Sequence, residues 1–120
     1  MGQTTLEIGS LGEDLAHKYL SSLGYTILER NWRWRKCEID IIAIHRDKIV
    51  FIEVKTRVRN LIEQRVDISH SQRKRIINAA NSYLLKNRKI DLESRFDLVR
   101  VRKTNGDWWV EHIRGAFEVV

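Results

Sequence analysis

One stretch limits what this chain can become: Glu38-Ile39-Asp40-Ile41-Ile42-Ala43-Ile44, the polar break His45-Arg46-Asp47-Lys48, then Ile49-Val50-Phe51-Ile52-Glu53-Val54-Lys55. Both arms are dense in β-branched residues and too short and alternating for a helix, and the four-residue break supplies a turn, so the pattern predicts a β-hairpin. If Ile44 pairs with Ile49, counting outward sets Asp40 opposite Glu53, with Cβ atoms roughly 4.5–5.5 Å apart. Like charges facing each other on a half-buried sheet destabilise it unless something compensates. A divalent cation does so, and hard carboxylate oxygens suit Mg²⁺ or Mn²⁺. Alternation puts Lys55 on the face of Glu53, about 6.8 Å further along. Acid, acid and base on one face suit a metal and a phosphate: the metal activates a water, and the ammonium orients it or steadies charge on phosphorus. The competing reading is an edge hairpin with solvated or ion-paired charges, and the spacing alone leaves both open.

At 120 residues the chain fits one domain, 1–120, with a modest core. Its 22 Lys and Arg against 16 Asp and Glu leave a formal charge of +6, which favours a polyanionic partner. The single cysteine, Cys37, rules out an internal disulfide and fits a reducing cytoplasm. No signal peptide opens the sequence, and no apolar run reaches the ~18 residues that suggest a membrane span. His17, His45, His70 and His112 lack paired ligand spacing, which argues against zinc.

The chain opens with a predicted helix to Leu23, with Leu11, Leu15, Ala16, Tyr19, Leu20 and Leu23 on its buried stripe and Gly24 ending it. Glu13 points toward the packed side. Ser10-x-x-Glu13 explains it as a capping box; a rival start at Thr4-x-x-Glu7 leaves it mid-helix and uncapped, which favours a role in a site. Tyr25–Glu29 is the first predicted strand. Trp32, Arg33, Trp34, Arg35 and Lys36 follow, interleaving cations and indoles as nucleic-acid binding requires, although tryptophans at alternate positions also fill a sheet face while arginines stay wet.

Arg57 and Arg59 continue the alternation of Glu53 and Lys55 and extend a row suited to phosphates. A second helix is predicted from Ser69 to Asn87, with Ser69-x-x-Gln72 as a capping box and Ile76, Ala79, Ala80, Tyr83 and Leu84 buried. Arg73, Lys74 and Arg75 in its first turns oppose the helix dipole, which a bound phosphate offsets; a solvated basic turn is the plainer reading. Phe96–Val101 and Trp108–Ile113 form a closing hairpin about Asn105-Gly106, and Asp97 is assigned a structural ion pair with Arg95 or a nearby arginine.

Glu38-Ile39-Asp40 with Phe51-Ile52-Glu53-Val54-Lys55, together with Gly12-Glu13, Ala16, Tyr19-Leu20, Gly24-Tyr25, Arg30-Asn31, Arg95-Phe96-Asp97 and Ala116-Phe117, resembles the YraN-type branch of the PD-(D/E)XK nuclease superfamily, relatives of archaeal Holliday junction resolvases. The resemblance covers nearly the whole chain. It implies a restriction-endonuclease-like core and a catalytic set of Glu13, Asp40, Glu53 and Lys55, with Glu13 completing a Mg²⁺ or Mn²⁺ site on Asp40 and Glu53. Gln72 stands where the family often has lysine, in a supporting role, and Cys37 stands where it usually has glycine.

The expected fold is one α/β domain in the order αβββαββ, a mixed sheet of about five strands flanked by helices. The expected activity is metal-dependent DNA endonuclease, with branched or structured DNA as substrate, a cytoplasmic location and a homodimer worth testing. The alternatives are a non-catalytic nucleic-acid-binding accessory protein on a nuclease scaffold and a protein-interaction module using the exposed aromatics.

Overall fold

In the computed structural model, which describes residues 4–58, 68–89 and 91–118, the central hairpin pairs Ile44 with Ile49 as the residue pattern requires. Its turn is tighter than the four residues expected. His45 pairs with Lys48, so only Arg46 and Asp47 turn the chain, and Arg46 takes the left-handed backbone that two-residue hairpins favour (φ 58°). His45 stays in the strand because its ring stacks on Tyr25, centroids 4.0 Å apart.

The elements run α1 (Thr5–Ser22), β1 (Thr26–Trp34), β2 (Cys37–His45), β3 (Lys48–Val58), α2 (His70–Lys86), β4 (Glu93–Thr104) and β5 (Asp107–Phe117). The strands form one five-stranded sheet in sequence order, with β3 and β4 parallel and the other pairs antiparallel. This is the mixed α/β architecture expected. The parallel pair needs a crossover, which contains α2. Central β3 is apolar at four consecutive positions because both its faces are covered. Val50 and Ile52 join Ala16 and Leu20 of α1, while Ile49 and Phe51 join Ile76, Ala79, Ala80 and Tyr83 of α2.

α1 begins at the earlier of its two candidate starts. Glu7 N–H donates to Thr4 Oγ1 at 3.1 Å and Thr4 N–H donates to Glu7 Oε1 at 3.2 Å, leaving Ser10 inside the helix and Glu13 mid-helix. Gly12 lets α1 press onto β3: a Cβ there would lie 1.9 Å from Thr56 Oγ1. α2 starts after Ser69, whose Oγ accepts from Gln72 N–H at 3.2 Å, and buries Ile76, Ala79, Ala80, Tyr83 and Leu84, the stripe read from its periodicity.

β1 is longer than Tyr25–Glu29. It bulges between Ile27 and Glu29 and continues through Trp34, so the Arg/Trp segment lies in the sheet. Asp97 is buried, as a structural acid should be. Arg95 grips it with Nε and Nη2 at 2.8 and 3.0 Å, Gly115 N–H donates at 3.1 Å, and His112 Nε2 lies 2.7 Å away. Burial raises its carboxyl, but these hydrogen bonds outweigh that and hold it below the usual range.

Candidate active site

The site forms where two strands break step together. Along β1 and β2 the register pairs Arg30 with Ile41 and Trp32 with Ile39, and Asn31 and Asp40 between them are unpaired. Asn31 takes a left-handed backbone (φ 52°), which asparagine tolerates better than most residues. On either side the faces exchange: Ile41 packs into the α1 core and Ile39 into the α2 core. Strict alternation would have put both on one face. The β2–β3 register likewise ends at Ile41–Ile52, and beyond it Val54 N–H donates to Asp40 Oδ2 at 2.7 Å. A side chain thus satisfies a backbone donor where the strands part.

Asp40 meets acids on two sides. It lies within hydrogen-bonding reach of Glu53, and burial first, then Glu53, with Glu13 adding to it, push its carboxyl up to about 9. Oxygens of Asp40, Glu13 and Glu38 lie within 4.8 Å of one another. Glu53, with a side chain 10% exposed, contacts Lys55 Nζ at 3.3 Å and accepts a short hydrogen bond from Gln72 Nε2. The Gln72 side chain therefore supports Glu53 rather than closing the capping box with Ser69.

Glu13, Asp40, Glu53 and Lys55 converge, drawn from α1, β2 and β3. Glu38 and Asn31 join them without having been assigned site roles from sequence. Asn31 Nδ2 donates to Glu13 Oε1 at 2.8 Å and to Glu38 Oε1 at 3.0 Å, so one neutral amide spans two carboxylates. Alternation carried a signal for Glu38, two residues before Asp40; for Asn31 the signal was only its tolerance of positive φ. Arg30 pairs with Asp14 at 2.9 Å and approaches Glu13 at 3.8 Å.

Such a cluster fits a divalent cation by donor chemistry: hard carboxylate oxygens, close together and crowded enough that Asp40 keeps its proton well above the usual carboxylate range. On the β3 side, Lys55 and Arg57 line an open groove of about 470 Å³ with Gly9 and Glu13 of α1.

The basic and aromatic residues divide. Trp32 sets its ring edge against Tyr83 of α2, centroids 5.1 Å apart, and so serves the core. Arg33 pairs with Glu38 at 3.0 Å, and Arg73 donates to Ile68 O at 3.0 Å and lies over Phe117. Arg35, Lys36, Arg57, Lys74 and Arg75 are exposed. Arg59 lies outside the described residues. Trp34 packs partly on the core and also lines a recess of about 340 Å³ with Arg35, Lys36, Cys37, Arg75 and Asn78. The Cys37 thiol is raised by burial and then by Glu53, which ties the recess to the carboxylates. No helix among the described residues is long and apolar enough to cross a membrane.

The model of the uncharacterised protein family UPF0102 matches residues 12–101. Similar sequences include a UPF0102 protein of Clostridium kluyveri, 44% identical over 116 residues that cover 94% of this chain and 95% of the relative. A UPF0102 protein of Bacteroides thetaiotaomicron is 40% identical over 114 residues, 92% of each chain, and one of Flavobacterium psychrophilum is 38% identical over 112 residues, 92% of this chain and 93% of its own.

Proposed function

The chain belongs to the uncharacterised protein family UPF0102, the YraN-type family, and we propose that it is a metal-dependent DNA endonuclease, acting on branched or otherwise structured DNA. One observation carries this reading: a half-buried Asp40 crowded by Glu13, Glu38 and Glu53, with the Lys55 ammonium 3.3 Å from Glu53. Like charges are concentrated there at a cost in folding free energy, as functional sites do and cores avoid.

Asp40 and Glu53, with Glu13 and Glu38, would hold Mg²⁺ or Mn²⁺. The bound ion supplies Lewis acidity, lowering the pKa of a water and offsetting charge on the phosphoryl oxygens. Lys55 orients the attacking water beside Glu53 and steadies the developing charge. The water oxygen would bond to phosphorus as one phosphorus–ester oxygen bond breaks; one water proton passes to a carboxylate, the leaving oxygen takes a proton from solvent water, and the products are a phosphate monoester and a free hydroxyl. Gln72 and Asn31 orient Glu53 and the Glu13–Glu38 pair respectively, and Lys36, Arg57, Lys74 and Arg75 attract the backbone phosphates.

Mn²⁺ calorimetry on the wild type and Asp40→Ala tests this, beside cleavage of linear, flapped and four-way-junction DNA. The expected result is Mn²⁺ binding and metal-dependent cutting by the wild type, both lost in Asp40→Ala, and cutting lost in Lys55→Ala with most DNA binding retained. Cleavage that survives both substitutions overturns the mechanism. Metal binding without cleavage of any of the three DNAs would favour an accessory protein on the same scaffold.

A further inference from the structure

The recess between the β1–β2 turn and α2 is built unlike the rest of the basic surface. Its wall is the Trp34 indole, over which the Arg35 guanidinium lies 4.6 Å from the ring centroid. Lys36 and Arg75 add cations at its rim, and Asn78 brings an amide that both donates and accepts. The volume, about 340 Å³, is in the range of small-molecule sites rather than a surface dimple. Arg35 adopts a left-handed backbone at the turn (φ 56°), which presents the cation beside the aromatic face. Cys37 joins the recess directly to Glu38, the next residue of β2, and through it to the carboxylate cluster.

A flat apolar wall, a guanidinium over it, one hydrogen-bonding amide and a cationic rim match one chemistry: a nucleobase with its own phosphate. Indole and guanidinium faces stack on bases, Asn pairs with base edges, and the cations take the backbone. A neutral peptide or lipid chain would explain the apolar wall but not the three cations. A base within a duplex has both faces stacked on its neighbours and cannot turn one to a recessed indole.

From these features we infer that the recess of Trp34, Arg35, Lys36, Cys37, Arg75 and Asn78 receives one unpaired base of a DNA strand, beside the carboxylate cluster. The inference rests on the nucleic-acid substrate of the proposed function and narrows it to DNA with an unpaired nucleotide next to the cut phosphate.

Binding in EDTA tests the recess without requiring turnover. A 12-nucleotide single strand, the same strand with one abasic position, and the corresponding blunt duplex are titrated against wild type, Trp34→Ala, Trp34→Phe and Asn78→Leu at fixed salt. Base stacking of this kind predicts that Trp34→Ala weakens single-strand binding by about tenfold or more. Trp34→Phe should retain most of it, Asn78→Leu should lose severalfold, and duplex affinity should stay within about twofold throughout. An abasic position should weaken the wild type measurably. Equal losses on single strand and duplex, or no loss in either Trp34→Ala or Asn78→Leu, overturn the inference. Asn78 is exposed on α2, so its variant keeps the test decisive if Trp34→Ala unfolds. Single-strand preference without cleavage would leave this inference standing while removing the nuclease; cleavage without base preference would do the reverse.

Discussion

Replacing Asp40 by Asn should stabilise the metal-free protein while destroying its response to metal. The Asp40 carboxyl holds its proton up to about 9, where the unfolded chain releases it near 3.8. An acid raised in this way favours the folded state most below its unfolded value, and that stability drains away as pH climbs through the interval and up to the folded value. At pH 7 folding must therefore place a proton on a group that the unfolded chain leaves ionised. Across roughly three pH units this costs on the order of 4 kcal/mol, an upper bound because Glu53 shares the proton. Asparagine removes the cost. Its oxygen still accepts from Val54 N–H, and its amide donates to Glu53. Urea unfolding in EDTA at pH 5 to 9 should show wild-type stability falling with pH more steeply than that of Asp40→Asn, with the variant ahead by about 1–4 kcal/mol at pH 8. Mn²⁺ at about 100 times its Kd should then add about 2.7 kcal/mol to the wild type and nothing to the variant. A variant less stable than wild type at pH 8 in EDTA, or parallel pH slopes, would refute the reasoning.

Gly12→Ala should cost about 1–3 kcal/mol in thermal or urea unfolding, because its Cβ meets Thr56 Oγ1 at 1.9 Å and Cγ2 at 2.6 Å; adding Thr56→Ala should recover part of the loss, since those two atoms go while the 2.8 Å contact with Thr56 Cβ remains. Asp97→Ala should cost about 3–5 kcal/mol by leaving Arg95 and Gly115 N–H without their acceptor. Because Asp97 is held below its ordinary range, its contribution is present at neutral pH and lost as pH falls through and below the usual carboxylate range, so acid unfolding of wild type should be steeper than that of Asp97→Asn. Asn31→Gly, which keeps the positive φ but removes the amide, should leave the fold intact by circular dichroism and weaken Mn²⁺ binding about tenfold in calorimetry.

The hairpin register was legible because the polar break His45–Lys48 bounds the two apolar arms and so sets Ile44 against Ile49; the arms, buried on both faces, offer no alternation to fix it. The α2 stripe was legible for a similar reason, with Ser69 fixing the start and the 3.6-residue period fixing the face. The extent of β1 was not. Trp32 and Arg33 read first as a nucleic-acid-facing segment, with an alternating strand as the alternative, and the deciding contact, Tyr83 against the Trp32 ring, comes from a helix about 50 residues away. Asp40, Glu53 and Lys55 could be brought together by counting, because they share one local hairpin. Counting by twos set Glu38 on the face of Asp40, but nothing local showed that α1 would supply Glu13 or that Asn31 would bridge the two acids.

The backbone step at Asn31 explains how acids from α1, β2 and β3 come to meet. A regular sheet would keep Asp40 on the α2 face beside Glu53 and away from Glu13 of α1. With Asn31 and Asp40 both out of the ladder, the Asp40 carboxyl is reached by Glu53 on one side and by Glu13 and Glu38 on the other. The side chains that fix the flanking acids include two amides, Asn31 and Gln72, which donate hydrogen bonds and carry no charge. Arginine or lysine in both places would pair the carboxylates internally and compete with any incoming cation. Amides leave the negative charge available, so the folded chain bears an electrostatic cost that a divalent ion can relieve. The cations that reach the cluster sit at its edges, with Lys55 3.3 Å from Glu53, Arg33 3.0 Å from Glu38 and Arg30 3.8 Å from Glu13, while Asp40 at the centre is held by a proton and the Val54 N–H.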